Sequence, residues 1–133
     1  MKRQKRRKQM KKTYSIVDMR KALKWFQHLM RIEDWDIDLY FQDYVPQWAI
    51  DAEDPETIAG YCEPFLRFKT AKIWVSQAKC FLFSYDVVGT LFHELTHVVF
   101  CDLGFNENER TEFVVDKFGM SLGKLYRYEK RKK

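Results

Sequence analysis

Cysteine and histidine are both scarce in this chain, three of each among 133 residues. Cys62, Cys80 and Cys101 are odd in number and widely spaced, with no C-x-x-C pair. That pattern excludes a disulfide framework and a zinc ribbon, and points to free buried thiols in a reducing compartment. No apolar run reaches the roughly 20 residues needed to span a bilayer, and no apolar stretch follows the N-terminal charges as in a secretion signal. A cytoplasmic protein with no membrane partner is therefore expected. Acids are missing from residues 1–12, MKRQKRRKQMKK, which hold eight Lys or Arg. Like charges with nothing apolar to bury read as a disordered basic arm. Aromatics are missing there too, so nothing would stack on bases. The arm is either a solubilising tail or a holder of nucleic acid through counterion release.

The rest of the chain is different. Net charge is +5 overall, but residues 13–133 carry 16 basic and 19 acidic side chains, a net −3. With 46% hydrophobic and 17% aromatic residues, residues 13–133 are expected to fold as a single domain around one core.

Ser15, with Asp18 three residues on, forms a capping pattern that predicts a helix from about Ile16 to Ile32. Its Met19, Leu23, Phe26 and Met30 recur at helical spacing, while His28 falls on the opposite, solvent face and is not a site candidate. Asp36–Phe41 alternates with Ile37, Leu39 and Phe41 inward, predicting a half-buried strand. Residues 42–57, with Pro46, Pro55 and five acids, read as a loop. Ile58–Phe68 and Ala71–Ser76 read as two strands joined by a tight turn at Lys69-Thr70, with Ile73 and Val75 alternating against Lys72, Trp74 and Ser76. Pro64 has no N–H, which suits an edge strand, where an extended peptide can add through main-chain hydrogen bonds. Ser84 is expected to cap the next helix with Asp86 in its first turn. Gly89 is expected to mark close helix–sheet packing, and Gly104 to close the helix. Asn106-Glu-Asn-Glu109 is a further capping pattern, opening a last helix from about Glu107 to Tyr128.

The apolar run Val87–Cys101 carries His93-Glu94-Leu95-Thr96-His97. On a helix, residues four apart share a face, so His93 and His97 can aim two imidazoles at one metal ion. Zinc bound that way keeps an open position for a water whose pKa falls to about 7. Glu94, one step round the helix, is placed to take that proton. A catalytic zinc usually has three protein ligands. With His28 remote, the third is a carboxylate of the last helix, from Glu107, Glu109, Glu112 or Asp116. Glu112 is preferred because it lies more than a turn inside the helix, whereas Glu107 and Glu109 sit at a fraying, solvated end. Asp116, one turn further on the same face, can accept the spare N–H of a ligating imidazole. Phe113, Val114, Val115 and Phe118 are expected to bury this helix against the first. Tyr61 and Tyr85 are the candidates for stabilising an oxyanion.

HELTH followed by Glu112-x-x-x-Asp116 resembles the gluzincin pattern; Phe100 and Leu103 stand where the metzincin pattern has Gly and His. Glu112-Phe-Val-Val-Asp-Lys-Phe-Gly119 resembles the Glu-x-Glu-Ala-Asn-x-Phe-Ala stretch of ImmA/IrrE-type metallopeptidases, with Val114 and Val115 in place of Glu-Ala. The layout over about residues 16–125, including the Ala59-Gly60 edge, is similar both to those proteins and to SprT-like proteases. The Leu-Leu-x-Pro that usually follows in the first family and the zinc ribbon often found in the second are absent. The resemblance implies a compact α+β, zincin-like domain: an N-terminal helix, a small twisted mixed sheet with an exposed edge strand, the HExxH helix and a C-terminal ligand helix. It also implies cleavage of a protein partner, such as a repressor or other regulatory protein, in a phage or mobile-element setting.

The residues and the resemblance together predict a zinc-dependent endopeptidase. His93, His97 and Glu112 hold the metal, Glu94 moves the proton, and a protein substrate lies as an extended strand. Two rivals stand beside it: a zincin-fold protein that binds without cutting, and a nucleic-acid-associated protein acting through residues 1–12.

Overall fold

The computed structural model describes residues 12–50 and 56–132. Most of the expected basic arm, and the loop residues 51–55, lie outside the described residues. Among the described residues the protein is α+β, with four helices and one three-stranded mixed sheet.

Helix α1 (Ile16–Leu29) opens on the expected capping box: Ser15 N donates to Asp18 Oδ2 at 3.0 Å and Asp18 N to Ser15 Oγ at 3.1 Å. It buries Met19, Ala22, Leu23 and Phe26 and leaves His28 in solvent. The helix stops short of Ile32 because Arg31 turns into the left-handed region at φ 56°, where Gln27 Nε2 binds the Ile32 and Trp35 carbonyls.

Strand β1 (Asp36–Phe41), β2 (Gly60–Phe65) and β3 (Thr70–Val75) form a sheet in the order β1-β3-β2. β1 runs parallel and β2 antiparallel to the central β3. Pro64 therefore stands on an edge strand, where its missing N–H costs least. The expected long strand is cut at Phe65 by a 3₁₀ turn, Leu66–Phe68, and by Lys69 at φ 49°. The face bearing Ile37, Leu39, Ala71, Ile73 and Val75 packs on the helices. Trp74, assigned outward by alternation, is fully buried as well, its Nε1 donating to the Gln42 carbonyl at 2.9 Å.

Two caps depart from expectation. A short helix α2 (Gln77–Leu82), capped by Ser76, follows β3, and Ser84 lies beyond it with φ 60°. Asp86, not Ser84, caps α3 (Val87–Asp102), its carboxylate accepting from Gly89 N at 2.8 Å. Aspartate is the better cap there because it also pairs with Arg127. Helix α4 (Glu109–Lys132) begins later than expected, because Asn108 rather than Asn106 accepts from Arg110 N and Thr111 N. Gly104, at φ 76°, closes α3 as expected.

α4 packs along α3, antiparallel, through small residues. A Cβ on Gly119 would lie 2.6 Å from the His93 backbone N, and one on Gly123 would lie 3.1 Å from Gly89 Cα. Gly89 thus permits helix–helix contact rather than the expected helix–sheet contact. Val115, Gly119, Gly123 and Tyr126 form the buried face. Phe113, Val114 and Phe118, expected to be buried, are exposed instead, because the narrow contact admits only the small-residue face.

Adding one methyl group at Gly119 should force the two helices apart. Gly119→Ala is expected to destabilise the protein by about 1–3 kcal/mol, the usual cost of overpacking, in urea unfolding. Unchanged stability would show that α3 and α4 separate freely at this point.

Candidate metal centre

The close helix pair decides where four side chains go. Arg127 meets Asp86, Gly123 meets Gly89, and Gly119 meets His93, so Glu112, two turns before Gly119, falls beside the imidazoles. The His93 and His97 rings stand 5.2 Å apart on one face of α3, each with under a fifth of its side chain exposed.

Glu112 lies between them. Its Oε1 is 2.9 Å from His93 Nε2 and its Oε2 is 3.4 Å from His97 Nε2. The other nitrogen of each ring faces a second acid: His93 Nδ1 lies 3.4 Å from Asp116, and His97 Nδ1 lies 2.6 Å from Glu107. Every ring nitrogen thus faces a carboxylate oxygen. A neutral imidazole has only one N–H to donate. Each ring therefore needs either a second proton or a cation between its Nε2 and Glu112. One cation would serve both rings at once.

The donor set fits zinc. Bonds of about 2.0–2.2 Å in a tetrahedron set ligand atoms roughly 3.3 Å apart, and the two Nε2–Glu112 separations lie on either side of that value. His97, Glu107 and Glu112 form an overlapping group of donors. Glu107 meets Nδ1 of His97, the nitrogen turned from Glu112.

Glu94 is 7% exposed, and its donor atom lies within 4.8 Å of those of His93 and His97. Burial, followed by the charges of Glu112 and Glu107, pushes its carboxyl up to about 8. Strand β2 reaches this carboxyl because Gly60 has no side chain: a Cβ there would lie 3.2 Å from Glu94 Oε2.

The two tyrosines do not join this group. Gly60 faces α3, so Tyr61, the next residue, points to the other face of the sheet, in register with Trp74 and with its ring near Trp48. Tyr85 precedes the α3 cap, half exposed against Phe83. Among the described residues no hydrogen bond or ring contact links either tyrosine to the imidazoles. All three cysteines are free, and burial raises each thiol above its ordinary range. That keeps Cys62, closest in charge to Glu94, a thiol rather than a thiolate.

Glu107 is the residue that sequence reasoning discarded. It sits just before the Asn108 cap, fixed in the loop rather than fraying from a helix. The signal was present: Asn108 followed by Thr111, whose hydroxyl accepts from Asn108 N at 2.6 Å. No protein-family model matches the chain, and no curated protein or solved structure was found to be similar to it.

Glu94 sets a pH dependence in the metal-free protein. Its folded pKa lies above its ordinary 4.5, so stability is greatest below that pH and falls as pH rises towards about 8. With metal removed by chelator, Glu94→Gln should melt several degrees above wild type at about pH 8 and close to it at about pH 4. An equal gap at both pH values would rule out a buried, raised carboxyl.

Proposed function

We propose that this protein is a zinc-dependent endopeptidase with a zincin-like catalytic centre. The observation that carries the reading is the double facing of both imidazoles: Nε2 of each towards Glu112, Nδ1 of each towards a separate acid. Structural carboxylate–histidine pairs are common, but here a neutral ring has one N–H for two facing carboxylates, and a cation between Nε2 and Glu112 would complete both rings without a second proton on either.

In this reading His93, His97 and Glu112 hold the ion, while Asp116 and Glu107 fix the ring orientations by accepting from Nδ1–H. Zinc so held would supply a Lewis acid for the scissile carbonyl and an acidified water. Glu94 takes the proton of the attacking water on its carboxylate and returns it to the leaving amine. Burial beside other acids raises this carboxyl in the metal-free protein, and a bound cation would offset those charges and keep Glu94 ionised to accept the proton. The substrate is a protein segment laid as a strand along the outer edge of β2, which Gly60 brings against Glu94. Such a segment offers the main-chain donors and acceptors that the β2 edge lacks a partner for among the described strands. A repressor or other regulatory protein remains our suggestion for the source of that segment.

Metal analysis and proteolysis test the two halves separately. Wild type should hold one zinc per chain, His93→Ala and Glu112→Ala little or none. Glu94→Gln should keep the zinc and lose cleavage of a proteome-derived peptide mixture by about 10²-fold or more, the scale of a lost general base. Glu107→Gln and Asp116→Asn should weaken zinc binding by about 10–100-fold. Full zinc retention in Glu112→Ala would end the metal assignment. Unreduced cleavage by Glu94→Gln would end the catalytic one and favour a binding protein.

A further inference from the structure

We propose that the outward face of α4 docks on an anionic lipid surface, with the helix lying in the plane of the interface. Val114, Phe118, Leu125 and Tyr128 are between about a third and a half exposed. Their spacings of four, seven and three residues place them in one stripe. At 3.6 residues per turn the stripe lies well round the helix from the buried Val115, Gly119 and Gly123, so it points away from α3.

Charge is sorted round the same helix. Glu112 and Asp116 face the imidazoles. Arg110, Lys117, Lys124 and Lys132 fall along the stripe or on its border, and all are exposed. Glu129, the one acid near the stripe, is taken up by Trp25 Nε1 at 2.9 Å. The Asp18 carboxyl feels both Lys12 and Lys130, so the chain enters α1 beside the last turns of α4.

This combination selects its occupant. A nucleic acid would meet the basic side chains and leave Val114, Phe118 and Leu125 in water. A second copy packed antiparallel on the stripe would set Lys117 and Lys124 against their own counterparts. An anionic bilayer takes both features, the apolar residues entering the headgroup boundary and the lysines reaching lipid phosphates. No described helix is long and apolar enough to cross a membrane, and lying on one requires no span. Glu112 and Asp116 project from the other side of α4, so the imidazole centre stays open to water in this orientation.

The test uses full-length protein and vesicle co-sedimentation at physiological ionic strength. Vesicles of equal parts phosphatidylcholine and phosphatidylglycerol should pull down wild type, and pure phosphatidylcholine vesicles should not. Phe118→Ser with Leu125→Ser should weaken binding at least about tenfold through lost apolar burial. Lys117→Gln with Lys124→Gln should weaken it by about 30-fold, at roughly 1 kcal/mol per lysine. All four substitutions are at exposed positions, so melting temperature and zinc content should stay as in wild type. No pelleting with the anionic vesicles would overturn the proposal. Undiminished binding of the serine variant would do so too, since charge alone would then explain it. A duplex DNA oligonucleotide held more tightly than the vesicles, and equally by the serine variant, would assign the surface to nucleic acid instead.

Discussion

The backbones of α3 and α4 approach closely at His93 against Gly119 and at Gly89 against Gly123, and the candidate centre depends on the first of these contacts. A metal site assembled from two helices needs its donors held to within about half an ångström. The glycines remove the side chains that would otherwise keep the helices a normal distance apart. Asp86 fixes the far end of the same pair, capping α3 through Gly89 N and pairing with Arg127 of α4. One aspartate thus ends one helix and sets the register of the next. With the register set, Glu112 arrives between the two imidazoles and Asp116 behind one of them.

The centre gathers four acids, of which Glu94 alone is buried. Glu94, Glu107, Glu112 and Asp116 converge on two rings that together supply few protons. Such a concentration of negative charge is unfavourable by itself, and it makes a cation the natural complement. The β2 edge adds the second requirement of our reading, a peptide-sized approach to Glu94 that Gly60 keeps clear. On α4, Glu112 and Asp116 face the imidazoles while Lys117 and Lys124 lie exposed towards the other side.

Local pattern was a good guide where the governing physics is local. The Ser15–Asp18 box, the alternation of β1, the edge placement of Pro64 and the Gly104 closure all follow from interactions within a few residues. Capping by Asp86 and Asn108 was misplaced, because Ser84 and Asn106 offer equally good side chains and only the path of the chain chooses between them. The face of α4 was misjudged for a related reason. Apolar content pointed to Phe113, Val114 and Phe118, but a tight helix pair rewards small residues, so Gly119 and Gly123 turned the large ones outwards. Tyr61, a candidate for stabilising an oxyanion, is sent to the far side of the sheet by strand alternation.

Helical periodicity alone puts two imidazoles on one face with a glutamate beside them, since 3.6 residues per turn allows nothing else once α3 forms. It also determined that Glu112 and Asp116 would point the same way. Which acids meet which nitrogens is a matter of packing between distant segments. That choice belongs to the approach of two helices across a loop, set by missing Cβ atoms and one ion pair rather than by any repeating pattern. Glu107 shows the difference most directly: ten residues beyond His97, it reaches that ring because the chain folds back there.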